Sequence, residues 1–213
     1  IRTVNALTLG VRGFNVYLGL NKSPSELGIK DYTYLIYNYT DSKVLFKTLQ
    51  EDTNRNIQMI AATVPSFVSN KMSPEGTTIM EITSLFLNDA WDNVKPEDYE
   101  SEKNRVALQC IEMFEKATGI KLKEHIEEIS VAAPQTFARY GSHPHGVMYG
   151  YKCDYVDSMA ARLQSLGDDS HIKNLRFTGG FSARGDGYSS TYLIGEICGR
   201  QTYGDIQAEK GDK

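Results

Sequence analysis

Apolar positions recur along this chain with three rhythms, which together predict a run of strands, one long amphipathic helix and a closing strand, turn and helix. Residues 4–10 and 14–20 read as strands, with 11–13 as the turn between them. Ser23 caps one helical turn through Leu27. Residues 31–39 are rich in tyrosine and aliphatic side chains and read as a strand. Tyr32, Tyr34 and Ile36 share one face, and Thr33, Leu35 and Tyr37 share the other. Both faces are expected to be at least partly covered. Asp41 opens a helix through residue 51, with Val44, Leu45 and Leu49 inward. Residues 57–64 form the next strand, closed by Pro65. A Ser-Pro-Glu-Gly turn at 73–76 leads into a strand over 77–87, expected to be central in its sheet.

The long helix covers 96–118. Pro96 suits its first turn, and Glu97 and Asp98 complement the positive end of its dipole. Tyr99, Val106, Cys110, Met113, Phe114 and Ala117 recur at three- and four-residue spacing, and Gly119 stops the helix. Glu100, Glu102, Lys103 and Arg105 read as a solvated face without chemistry. A short helix at 122–127, a strand at 129–133 and a short helix at 134–140 follow. Beyond them come a strand at 147–152, a helix at 157–166 and a loop at 167–170. No internal repeat or low-complexity linker interrupts the chain.

The closing stretch reads as strand, glycine-rich turn and helix. Leu175 and Phe177 fit a short buried strand that Gly179 and Gly180 end. Gly185, Asp186 and Gly187 form a second loosened segment. Ser189 or Ser190 then caps a helix to Gly199, with Tyr192, Leu193 and Ile197 on its buried face and Gly195 allowing close packing. The free N–H groups and positive dipole of such a helix start suit a phosphate or a carboxylate.

Composition narrows the functions open to it. With 213 residues, 40% hydrophobic and 23% charged, the chain can bury a core of its own. The formal net charge of −4 gives no support for nucleic-acid binding. No apolar run reaches the roughly 20 residues of a membrane span, which leaves peripheral membrane contact open. Cys110, Cys153 and Cys198 are scattered and odd in number, and read as reduced thiols of a cytoplasmic protein. His143 and His145 flank a proline that marks a loop, and no third ligand pattern accompanies them, so no metal is expected. There is no Ser-His-Asp set, no carboxylate pair and no P-loop lysine pattern, and catalytic residues stay unassigned. The expected fold class is α/β (α+β): a mixed β-sheet covered by helices, followed by the closing strand, loop and helix.

The run from Leu175 to Arg200 resembles the closing flavin-binding segment of the phytoene dehydrogenase-like flavoproteins, a group within the carotenoid desaturase and amine oxidase superfamily. Residues 134–140 (Pro-Gln-Thr-Phe-Ala-Arg-Tyr) and 146–151 (Gly-Val-Met-Tyr-Gly-Tyr) resemble further landmarks of that group, as do 17–28 and 73–76. Ala133 stands where Thr is common. The resemblance implies FAD as cofactor, with Gly179 and Gly180 near its diphosphate. Gly185, Asp186, Gly187, Tyr188, Ser189 and Ser190 would then lie against the isoalloxazine ring and the helix start. Arg184 or Asp186 would address polar flavin atoms or form a salt bridge. Tyr140, Tyr149 and Tyr151 would line the substrate side or pack the core.

One departure from the group is large. The strand, Gly-x-Gly-x-x-Gly and helix that hold the ADP half of FAD are absent from these residues; Gly10, Gly13 and Gly19 have the wrong spacing. The expectation is therefore the C-terminal portion of a longer flavoprotein. Residues 1–170 would form its substrate-side domain, 171–204 the last segment of its FAD-binding domain and 205–213 a polar tail. FAD would belong to the complete protein and not be retained by this chain alone. By the same resemblance the function is hydride transfer between flavin and an apolar, isoprenoid-like small molecule, with amines as the other substrate class. The alternative is a non-enzymatic α/β module that binds a lipid or protein partner. The oligomeric state has no sequence signature here.

Overall fold

The computed structural model describes residues 8–152, 172, 175–179 and 187–211. The chain divides into two compact units, one of residues 12–146 and one of residues 1–11 with 147–213.

The first unit is built on a five-stranded sheet. Its strands are β1 (Arg12–Leu20), β2 (Thr33–Tyr37), β3 (Met59–Thr63), β4 (Thr78–Phe86) and β5 (Ile126–Ala132). They lie in the order β2-β3-β4-β1-β5, and all four pairings are antiparallel. The expected α/β class with helices on a sheet is what the chain forms; where strand directions were expected to be mixed, the pairing is uniform. β1 starts at Arg12, so the turn expected at 11–13 is strand instead. β4 lies at the centre, as its sequence implied. Its faces alternate strictly, with Thr78, Met80, Ile82, Ser84 and Phe86 all turned inward.

The inner face holds the core. Phe14, Val16, Leu18 and Leu20 of β1 meet Ile60 and Ala62 of β3 and Met80 and Ile82 of β4. The two buried hydroxyls on β4 are satisfied. Thr78 donates to the Lys22 carbonyl at 2.7 Å, and Ser84 to that of Met59 at 2.8 Å.

A turn of 3₁₀ helix at Pro96–Asp98 leads into α3 (Tyr99–Thr118), which covers this face; α1 (Ser42–Glu51) and α2 (Pro65–Val68) precede it in the chain. Val106, Ala107, Cys110, Ile111 and Phe114 of α3 are buried. Full burial of a side chain such as Phe114 contributes about 2 kcal/mol. Ala117, expected inward, is exposed, because the stripe drifts toward Ala107 and Ile111. Gly119 ends α3 in the left-handed conformation, at φ 76°. Burial pushes the Cys110 thiol up to about 12, so it stays protonated.

Other expectations change at the margins. Asp41 caps α1 through a 2.8 Å bond from the Lys43 N–H, but α1 has no buried residue and Val44 is exposed. β2 is an edge strand: Tyr34 and Ile36 pack on the core, whereas Leu35 and Tyr37 are exposed. The outer face expected to be covered there is open. The helix expected at 122–127 shrinks to a 3₁₀ turn, Lys123–His125. α4 (Pro134–Gly141) forms where expected. The Thr136 hydroxyl accepts from the Ala133 N–H at 3.2 Å, the reciprocal half of a capping box whose other half needs a side-chain oxygen that Ala133 does not have.

In the second unit residues 8–11 run antiparallel to 148–152. Lys152 N–H donates to Thr8, Gly10 to Gly150 and Met148 to Val11, each at 2.8 Å. This short ribbon replaces the strand expected at 147–152. The helix expected at 157–166 lies outside the described residues. α5 (Tyr188–Gly211) runs beyond Gly199 through the stretch expected to be a polar tail.

Candidate functional site

The closing segment departs from a buried strand. Residues 175–178 carry no strand pairing, and Leu175 and Phe177 are exposed. Arg176 anchors the segment instead, pairing with Asp205 of α5 at 2.6 Å. Among the expected cofactor residues, Gly180, Arg184, Gly185 and Asp186 lie outside the described residues. Gly179 and Gly187 take left-handed angles, φ 105° and 88°, and a Cβ built on either meets no atom within 4 Å. Only glycine adopts such angles freely.

Gly187, not Ser189 or Ser190, precedes the first turn of α5, and its carbonyl accepts from the Thr191 N–H at 3.1 Å. Tyr188, Ser189 and Ser190 form that turn, whose leading N–H groups have no partner within the helix. Tyr188 is exposed and stacks on Tyr192 with ring centroids 6.5 Å apart. The buried face is one residue out of step with expectation. Ile194 is the buried residue, flanked by half-buried Ile197 and Cys198, while Tyr192 is 75% exposed.

The three candidate substrate tyrosines divide between the units. Tyr140, at the end of α4, is 79% exposed and lies under the Arg139 guanidinium at 5.5 Å. Tyr149 and Tyr151 are half-buried in the second unit, where Tyr151 bridges to Leu9.

Two polar clusters in the first unit escaped the sequence reading. Arg12, nearly buried at the start of β1, grips Asp92 with both guanidinium nitrogens, at 2.5 and 3.1 Å. His145, at φ 52°, places its Nδ1 3.3 Å from Asp92 Oδ2, the oxygen that Arg12 Nη2 also reaches. Asp92 and His145 line a cleft of about 380 Å³ with Pro134, Gln135 and Ala138. His145 thus serves a carboxylate, and no group of three or more His, Cys, Asp or Glu able to hold a metal occurs among the described residues.

The second cluster lies on the sheet face opposite α3. Asn15 Nδ2 donates to Glu81 and, at 3.0 Å, to the Thr83 hydroxyl. A signal for it existed: Asn15 is the one polar side chain in the otherwise apolar and aromatic run 14–18.

The sequence resembles the phytoene dehydrogenase-like oxidoreductases, and the curated relatives agree with that resemblance. The chloroplastic prolycopene isomerase of Arabidopsis thaliana is 24% identical over 172 residues, 75% of this chain and 27% of that protein. The all-trans-retinol 13,14-reductase of Danio rerio is 26% identical over 192 residues, 84% of this chain and 31% of that protein. The chloroplastic prolycopene isomerase of Daucus carota is 29% identical over 104 residues, 47% of this chain and 17% of that protein. The chain therefore spans less than a third of the length of these relatives. No family model matches it. Among the described residues no helix is long and apolar enough to cross a membrane.

Proposed function

We propose that this chain supplies the substrate-side sheet and the closing cofactor segment of a FAD-dependent oxidoreductase of the phytoene dehydrogenase-like group. The similarity to a prolycopene isomerase and a retinol reductase over three quarters or more of the chain carries this reading. Both names point to long apolar polyenes, so the substrate is an isoprenoid-like molecule. The open space beside Gly179 and Gly187 and the first N–H groups of α5, which have no partner within the helix, fit one side of a dinucleotide cofactor. The flavin supplies the hydride chemistry at its N5. In this reading Gly179 and Gly180 let the diphosphate approach the main chain. Arg184 and residues 185–190 would bound the ring, and Tyr149 and Tyr151 would border the substrate.

The test compares the longer reading frame with these 213 residues. Both are purified and their visible absorption is recorded. A flavin spectrum in the long form and none in the short one is the expected result. Flavin in neither, after reconstitution with FAD, overturns the reading in favour of a binding module.

A further inference from the structure

The outer face of the sheet carries a polar cluster where a sheet facing solvent or packing on another layer needs none. Side chains of β1 and β4 alternate between faces, and Asn15, Glu81 and Thr83 all turn away from the core. The register sets Asn15 opposite Thr83 and Tyr17 opposite Glu81. Asn15 is only 4% exposed. Both of its amide hydrogens are used, one on Glu81 and one on Thr83, and the Thr83 hydroxyl lies 3.4 Å from Glu81. Its Oδ1 is buried with no hydrogen-bond partner.

A buried acceptor left unpaired costs about 1–3 kcal/mol, and a leucine or valine at position 15 would avoid that cost. The flanking positions of the same face are mixed: Thr63 stands opposite Glu81 and Ser130 opposite Tyr17, whereas the row that continues from Thr83 is apolar. Ala61 follows Thr83 in the row, Leu35 lies beyond it, and Ile79 and Tyr17 border Glu81. Leu35, Ile79 and Tyr17 are exposed.

We infer that Asn15, Glu81 and Thr83 form a recognition site for the hydrogen-bond-donating end of an elongated apolar molecule, whose body lies across Ala61, Leu35 and Ile79. The polarity follows from the donor count. Asn15 has no hydrogen left to give, and Glu81 has none. The ligand's end must donate: a hydroxyl or an ammonium group fits, and an ether or ester oxygen does not. The inference deepens the proposed function, because it names the end group of that same class of substrate, and it rests on that reading only for the apolar body.

The test uses four probes of one C20 isoprenoid skeleton: geranylgeraniol, the corresponding amine, the methyl ether and the hydrocarbon. Each is titrated into the 213-residue chain and followed by tyrosine and tryptophan fluorescence. The alcohol and the amine are expected to bind about tenfold more tightly than the ether, and the ether no better than the hydrocarbon. Asn15→Ala should bring the alcohol to the affinity of the ether. Glu81→Gln, which keeps the shape, should weaken the amine about tenfold. A purely structural role predicts altered melting with unchanged discrimination, and that result overturns the inference, as does equal affinity for alcohol and ether or no binding of the alcohol. If Asn15→Ala fails to fold, Glu81→Gln decides: an unchanged amine affinity rejects the site. The flavin spectrum of the longer reading frame is a separate measurement, so failure of one reading leaves the other standing.

Discussion

Arg55 Nε lies 2.5 Å from Glu102 Oε1, joining the loop after α1 to the first turns of α3. The same carboxylate accepts two bonds from Arg105 at 2.6 and 2.7 Å. Arg55 also donates to the Ala90 carbonyl at 2.6 Å and lies over the Trp91 ring. The bonds from Arg105, then those from Arg55, hold the Glu102 carboxyl down at about 2.

A carboxyl depressed in the folded state stabilises the fold above its unfolded value, near 4.5, and loses that contribution as pH falls toward 2. Glu102→Gln should therefore lower stability by about 1–2 kcal/mol at pH 7. The difference from wild type should shrink steadily between pH 4.5 and pH 2. Urea midpoints measured across that range check it; a gap that stays constant rejects the assignment.

Gly146 and Gly76 make a matched pair. Both have positive φ, 72° and 77°. A Cβ on Gly146 would lie 2.1 Å from the Pro134 carbonyl oxygen, whereas one on Gly76 meets nothing within 4 Å. Gly76→Ala should cost about 1 kcal/mol, the backbone strain alone. Gly146→Ala adds a backbone clash and should cost at least about 3 kcal/mol, loosening the seat of α4. Thermal melts of the two variants give the comparison, and equal costs would contradict the geometry.

Phe14 and Trp91 stack with centroids 5.4 Å apart at the heart of the first unit, and both are fully buried. Trp91→Ala should destabilise this unit by about 3–5 kcal/mol. Tyrosine fluorescence or circular dichroism during denaturation reads the shift. A loss under 1 kcal/mol would show that the ring is not a core element.

Gly187→Val and Gly180→Val are expected to abolish flavin retention in the longer protein while leaving most of the fold. For Gly187 the reason is the left-handed backbone ahead of α5 and the open space beside it. The ratio of flavin to protein absorbance in purified variants is the readout, and unchanged ratios in both would displace the site.

Local chemistry made much of the fold readable. Pro96, the acidic residues after it and Gly119 bracket α3, and Asp41 marks α1, because caps and breakers act on their own neighbours. The alternation of β4 is masked in the sequence because Thr78 and Ser84 stand on its buried face, each satisfied by a carbonyl elsewhere in the unit. The polar clusters were hidden for a related reason. Arg12 meets Asp92 across 80 positions, and Asn15 meets Glu81 across 66, so nothing in either neighbourhood announces the partner. Glu102 looked like one more solvated charge on a helix until the loop carrying Arg55 closed over it. On α5 the polar and apolar residues alternate too weakly to fix a face, and Ile194 was passed over for its neighbours Tyr192 and Leu193.

Trp91 is the only tryptophan in the chain. Every indole signal from this protein is therefore a local instrument: it reports from within residues 12–146. The 24 residues of α5 contribute instead to the far-ultraviolet helical signal. Recording both during one denaturation would separate the two units without a label or a truncation. Curves that coincide would mean the units unfold as one cooperative body; curves that part would give each its own midpoint.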